Sequence, residues 1–467
     1  MGMERRNRTW VLALASIASL MVALDTLVVS TALNTIREDM GASVEELEWT
    51  VNAYNLSLAV LLLPAAALGD RYGRRLLFAA GLGLFTAASA GCALAPDVGW
   101  LIAARTVQGV GAAFVLSLSL ALVSAAYPPE RRGSAIGILE GVTGLAVLAG
   151  PTLGGAVAQG LSWEWVFWLN VPIGAAALAL ALARIEESTA ARRAPLDLPG
   201  LGLVAAGALG LVWGLVRGNQ AGWASAEVVA ALVAGAALTA AFVAWERRVA
   251  EPMLPMRFFR LRGFAAGNAA VFCLFASMFA GVFFFAQFLQ VGLGDDALTA
   301  GLHLLPWTAC LFLVAPVAGA LADRIGDRPL LVSGLALQAI GMGWVALVAE
   351  PGMAYGELVA PLVVAGLGGS MAIPPAASSV VRAVPSEAVG IAAGANSMLR
   401  ELGGVFGIAA AVAVFSGAGG YGSAAVFTDG FAPAIALAAG LAAVGAVASL
   451  ALPGRSGHAV LAPEPAG

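Results

Sequence analysis

The sequence predicts an all-α polytopic membrane protein of 14 transmembrane helices, built as two six-helix bundles with two extra helices inserted between them. Three observations lead there. Hydrophobic residues fill 60% of the 467 positions and charged residues only 11%, with a mean hydropathy of +0.90, whereas a soluble chain of this length carries about a quarter charged residues. The arginines concentrate in every second loop. "LGDRYGRR" at 68–75 returns as "LADRIGDR" at 321–328, so the chain contains an internal repeat.

Each bilayer crossing needs about 20 apolar residues in a helix that satisfies its own backbone hydrogen bonds. Apolar runs bounded by charge, Gly and Pro place the first seven spans at 10–32, 48–69, 76–95, 99–123, 134–158, 164–183 and 199–216. The other seven fall at 226–246, 264–290, 298–321, 330–349, 357–381, 388–416 and 431–452. The first run follows Arg5, Arg6 and Arg8, as a signal peptide would. Its apolar core is too long and no small-residue cleavage site follows, so it reads as an uncleaved span.

Loop charge fixes the expected orientation. One set of loops and tails holds Arg5, Arg6 and Arg8, then Arg71, Arg74 and Arg75, then Arg131 and Arg132, then Arg184, Arg192 and Arg193. It continues through Arg247, Arg248, Arg257, Arg260 and Arg262, then Arg324 and Arg328, then Arg382 and Arg455. The opposite set has only Arg37 and Arg217 among many acids. The alternation implies an even number of spans in a cell membrane, with both termini cytoplasmic. No Lys is present and no polybasic tail suggests nucleic acid. Cys92, Cys273 and Cys310 lie inside apolar runs and read as small packing residues. Two histidines and no ligand-spaced cluster give no metal site, and nothing calls for a cofactor.

The repeat sets the organisation. Both copies follow an even-numbered span, so residues 1–190 form one six-helix bundle and 261–467 the other. The linker and two inserted helices occupy 191–260. At these residues the chain resembles the major facilitator superfamily, and its 14-span layout resembles the drug:proton antiporter branch. Further matching segments are "ALDTLVVSTALNTI" in span one, "LEWTVNAYNLSLAVLLL" in span two and "RTVQGVGAAF" in span four. "GPTLGG" closes span five, "WEWVFWLNVPIG" opens span six, and "NSMLRELGGVFGIA" lies in span thirteen. Two departures keep a small side chain: Ala66 stands where the repeat's second copy has Gly319, and Ala146 replaces a glycine of the span-five pattern.

The resemblance implies roles. Asp70, Arg71, Gly73 and Arg74, with Asp323, Arg324 and Gly326, would form a latch between the bundles when the cytoplasmic side is shut. Asp70 would then face the start of span thirteen, where a helix N-terminus stabilises a carboxylate, and Asp323 would face span five. The bland reading is that these arginines only hold the loops in the cytoplasm. Gly150, Pro151, Gly154 and Gly155 match the antiporter motif of exporters; a generic small-residue helix contact is the alternative.

Charges inside the bilayer mark functional candidates, because burying them unpaired is costly. Span one runs outward and span four inward, which puts Asp25 and Arg105 at matching depths of about 10 Å below the outer surface. They form either an exchangeable proton site or a permanent salt bridge. Glu140 and Glu401 are further candidates for proton coupling or cation contact. Glu401 points about 100° away from Arg400 around its helix. Tyr54, Asn55, Phe283, Gln287, Gln290, Asn396 and Arg400 are candidates for lining a substrate cavity, and His303 reads as an interfacial residue. The expected function is proton-coupled export of amphipathic or hydrophobic drugs, cationic ones within that class, by a monomer that alternates access. A lipid, siderophore or metabolite exporter stays open, as does a proton-coupled importer; the sequence offers little to a membrane enzyme.

Overall fold

The computed structural model describes residues 2–189, 197–250, 252–385 and 389–454, and within them the side chains of Glu140 and Asp323 lie outside the described residues. Every regular element among the described residues is helical. The chain opens with α1 (Gly2–Met40), α2 (Val44–Tyr72), α3 (Arg74–Ala93), α4 (Val98–Ala126) and α5 (Pro129–Gly160). The sixth span is divided into α6 (Trp165–Trp168) and α7 (Asn170–Arg184). Next come α8 (Leu198–Ala221), α9 (Ala226–Glu246) and α10 (Arg262–Gln287), the last running into a π-helical turn at Phe288–Gly292. The tenth span is divided as well, into α11 (Ala297–His303) and α12 (Leu305–Ile325). α13 (Asp327–Val348), α14 (Gly356–Val381), α15 (Val389–Ala418) and α16 (Ala424–Ser449) complete the chain.

Thirteen helical segments among the described residues are long and apolar enough to cross a membrane. The 32-residue α5 occupies the place of the fifth span, so the order matches the 14 spans read from the sequence. Two spans break because proline lacks the N–H that the helix ladder needs: Pro172 follows the α6–α7 break and Pro306 the α11–α12 break. The outward faces are apolar, with Leu347 86% and Leu313 73% exposed, as a lipid-facing surface requires.

Side-chain caps start helices at both ends; at the arginine-rich end Asp197 caps α8. At the end opposite the arginine-rich loops, the first turns of α2, α4, α9, α11 and α16 are capped by Ser43, Asp97, Ser225, Asp296 and Ser423. Each side-chain oxygen satisfies a backbone N–H left without an intrahelical partner. Ser43 and Glu46 form a reciprocal capping box. At the arginine-rich end, α3 and α13 instead start after Gly73 (φ 123°) and Gly326 (φ 93°), with no side-chain cap. Only glycine takes such φ values at little cost, which accounts for it at both copies of the repeat.

The helices before residue 190 meet those after 261 in two places. At the end opposite the arginine-rich loops, α1 and α5 pack on α10, α11 and an aromatic cluster that includes Phe284, Phe288, Phe415, Phe427 and Phe431. Toward the arginine-rich end, α2 packs along α15 through Leu56, Val60, Ala392, Ala395 and Met398. α8 and α9 pack on each other, with α8 against α15 and α2.

Candidate functional site

The strongest concentration of polar groups in the apolar interior lies on α1, α4 and α7. Asp25 and Arg105 are 2% and 1% exposed, and Arg105 Nη1 lies 2.5 Å from Asp25 Oδ2. The matching depths expected from the sequence are therefore realised as a direct ion pair. Gln108 Nε2 and Asn170 Nδ2 both donate to Asp25 Oδ1 at 2.8 Å. Arg105 is held independently: its Nε donates to the Thr50 carbonyl at 3.0 Å and its Nη1 to Gln108 Oε1 at 2.6 Å. Its guanidinium also stacks 4.1 Å from the centre of the Tyr54 ring. Gln108 Nε2 donates further to Ser89 at 2.8 Å, so the network reaches α3.

Local structure explains this assembly. Gln108 follows Arg105 by three residues and lies on the same helix face. Asn170 sits at the α6–α7 break, which turns its amide toward α1. Sequence reasoning passed over both residues, although each is a polar side chain inside an otherwise apolar span. Three further polar groups on α2, Glu48, Asn52 and Asn55, are buried as well. Asn52 Nδ2 donates to Glu48 Oε1 at 3.0 Å, while both polar atoms of the Asn55 side chain are buried with no partner among the described residues. A buried amide without a partner costs about 1–3 kcal/mol.

The remaining candidates divide by location. On α15, Arg400 folds back to Glu401, with Nη2 2.9 Å from Oε1, so side-chain length overcomes the divergent helical directions. Asn396 Nδ2 donates to Asn268 on α10 at 3.4 Å. Phe283 packs edge-on to Phe284. Gln287 donates to the Phe283 carbonyl and accepts from Tyr421. Gln290 Nε2 donates to the Thr31 carbonyl at 3.1 Å, joining α1 to the segment after α10. Arg37 stacks 4.5 Å over the Tyr421 ring and bridges the same division. Burial pushes the Tyr421 phenol up against the pull of Arg37, so it stays protonated and donates. The two glutamines thus stand in the closed end. His303 Nδ1 lies 2.6 Å from Asp295, and its ring stacks on Tyr355.

The small residues of α5 make two different contacts. A Cβ on Gly150 would lie 2.7 Å from the Leu27 Cβ, and one on Gly154 would press on Thr31 and come within 2.8 Å of the Val28 carbonyl, both on α1. A Cβ on Gly155 would overlap the Ala297 carbonyl on α11, across the bundle division. Reciprocally, one on Gly301 would strike the Pro151 carbonyl.

In the first repeat loop, Asp70 Oδ1 lies 2.7 Å from Arg74 Nη2, one helical turn away. Arg71 lies over Tyr72, and Arg324 is exposed. The group that meets the α3 N-terminus is Glu187, which sequence reasoning did not single out. Its two carboxylate oxygens accept from the backbone N–H of Arg75 at 2.9 Å and Leu76 at 3.0 Å.

A profile of the Major Facilitator Superfamily matches residues 15–408 and 267–466. The chain is 36% identical over 408 residues to the multidrug resistance protein Stp of Mycobacterium tuberculosis, covering 86% of this chain and 75% of that one. It is 35% identical to the tetracenomycin C resistance and export protein of Streptomyces glaucescens, with the same coverage. To the cephamycin export protein CmcT of Amycolatopsis lactamdurans it is 36% identical, covering 89% of this chain and 87% of that one. Among solved structures, a peptide transporter POT in complex with sulfate aligns with a TM-score of 0.69 at 14% identity, over 94% of each chain. An inward-facing bacterial homolog of the lysosomal transporter Spinster aligns at 0.65 and 15% identity, over 96% of this chain and 98% of that one. At such identities these structures speak to the fold.

Proposed function

The chain belongs to the major facilitator superfamily, and from that membership we propose that it exports amphipathic or hydrophobic drugs or antibiotics, cationic ones included, in exchange for protons. The relatives named above are resistance and export proteins, which supports a drug-class substrate over a nutrient. The arginine-rich end faces the cytoplasm, with both termini there, and the protein spans the cell membrane many times. Residues 1–190 and 261–467 act as two bundles that rock about a central path, with 191–260 inserted between them. One chain carries both bundles, so a monomer suffices.

The observation that carries the coupling is Asp25. Its carboxylate takes three donors from α4 and α7, so movement of either helix away from α1 changes what the carboxylate contacts. Proton uptake thereby ties to the change of state, with Arg105 as the counter-charge. Glu401, paired with Arg400, is a second proton or cation contact; Glu140 lies outside the described side chains and is proposed from its sequence position alone. Tyr54, Asn55, Asn396 and Phe283 line the path on its polar and aromatic sides. Everted membrane vesicles containing the protein should accumulate a drug when respiration acidifies their interior. Collapse of the proton gradient should stop that accumulation, and uptake that survives full collapse would remove the antiport reading.

Asp70, Arg71, Gly73 and Arg74, with Asp323, Arg324 and Gly326, serve as latch elements between states. The Asp70–Arg74 pair is partly exposed, at 32% and 18%, so it contributes about 0.3–0.5 kcal/mol to folding. Asp70→Asn should therefore leave the melting temperature within about 2 °C and still impair transport. Transport at the normal rate would leave Asp70 with no role beyond its loop.

A further inference from the structure

The two repeat loops differ in what meets the helix that follows them. In the first copy the α3 N-terminus is closed by the Glu187 carboxylate, delivered by the segment after α7. The corresponding segment after α16, described from Leu450 to Gly454, contains no acidic residue. At the α13 N-terminus there is instead a cavity of about 850 Å³ lined by Arg260, Arg262, Arg328 and Arg382. Its one described acid, Asp327, is already engaged by Ser378 at 2.5 Å and by Arg382 at 3.6 Å. No ion pair among the described residues engages Arg260, Arg262 or Arg328.

The cavity also receives the first turns of α10 and α13, neither with a side-chain cap. Helix N-termini carry partial positive charge that favours anions. Pro329, at the position of Leu76, has no N–H to offer, so the guanidinium groups rather than the backbone must dominate recognition. Arginine presents a planar fork of donors suited to phosphate oxygens. The cavity lies where five spans end, at headgroup depth, and its edge includes Ile325 and Leu450, 44% and 50% exposed. A free phosphate has no use for that apolar edge, whereas an acyl chain does.

We propose that this cavity binds the phosphate headgroup of an acidic phospholipid from the cytoplasmic leaflet, in the place that Glu187 fills in the first copy. Basic pockets between membrane helices on that side recognise such headgroups through the same chemistry. Binding there ties α10, α13 and the end of α16 together, as Glu187 ties α3 to the end of α7.

The test titrates phosphatidylglycerol, phosphatidylcholine and inorganic phosphate into the purified full-length protein in non-ionic detergent, with binding followed by native mass spectrometry. Phosphatidylglycerol should bind in preference to phosphatidylcholine. The double variant Arg262→Gln/Arg328→Gln should weaken that binding about tenfold or more. Gly454→Glu, at a lining position where a Cβ meets nothing within 4 Å, should supply an internal carboxylate and displace the lipid. This second variant keeps all four arginines and so serves even if the first folds poorly. Equal binding of the two lipids, or lipid binding unchanged in Gly454→Glu, would overturn the proposal. Inorganic phosphate competing fully at the lipid's own concentration would reassign the site to a soluble anion. Lipid binding that strengthens on removal of residues 455–467 would make that tail the occupant and overturn it likewise.

Discussion

Asp25→Asn is expected to abolish concentrative export while leaving a folded protein that still binds and exchanges its substrate. Asparagine is isosteric with aspartate, but it carries neither the negative charge nor the exchangeable proton. Removing one partner of a buried ion pair costs about 3–5 kcal/mol when the remaining charge is left uncompensated. Here Arg105 keeps the Thr50 carbonyl, Gln108 Oε1 and the Tyr54 ring, so the loss should sit at the low end of that range. The asparagine amide can turn only one oxygen toward its former donors: either Arg105, or Gln108 and Asn170, must face an N–H. That mismatch fixes the direction of the stability change as downward. The outcomes separate on one purified variant. A proton site predicts loss of gradient-driven accumulation with substrate exchange retained. A purely structural pair predicts that binding, exchange and accumulation decline together with the melting temperature. A stable Asp25→Asn protein that still concentrates substrate would sink the assignment and pass it to Glu401 or Glu140.

What the sequence disclosed and what it hid follow from the physics of each residue. The spans were legible because the bilayer demands a long apolar run for every crossing. The Asp25–Arg105 pair was legible because two charges in such runs must find each other, and loop charge set their depths. Their partners were not. Gln108 and Asn170 are neutral amides that both donate and accept, so either can pair with many groups and its presence names no partner. Glu187 was hidden for another reason: it follows a span in a charged linker, where a carboxylate reads as solvated. Only the folded chain shows it returning to the α3 N-terminus, where it meets Arg75, 112 residues earlier in sequence. Gln287 and Gln290 have contacts that their sequence positions did not disclose. The π-helical turn after α10 and the contact with Thr31 place them in the closure between bundles. That register depends on long-range packing that no local pattern encodes.

Gly155→Leu is expected to reduce transport about 5- to 150-fold with the protein still made and folded, because its contact is remade in each cycle. Gly154 and Gly155 are neighbours in sequence but face different partners. Gly154 lies on α1 within the same bundle, so leucine there must push α1 and α5 apart and should lower yield. Gly155 lies against Ala297 on the other bundle, and the clash can be relieved by the bundles separating at that end. Forcing a larger side chain into a packed contact costs about 1–3 kcal/mol. At 1.4 kcal/mol per factor of ten, that shifts the balance between closed and open by about 5- to 150-fold. Such a shift does not unfold a bundle, but it holds the transporter on one side of its cycle. Spin labels on exposed positions of α5 and α11 at that end should report a longer distance in Gly155→Leu, and everted vesicles should show transport reduced in proportion to the lost closed state. In Gly154→Leu the label distance within the surviving protein should change less than the yield does. Full transport by Gly155→Leu would mean that α5 and α11 need not touch for the cycle to run, and the small-residue stripe would then matter only for packing α5 on α1.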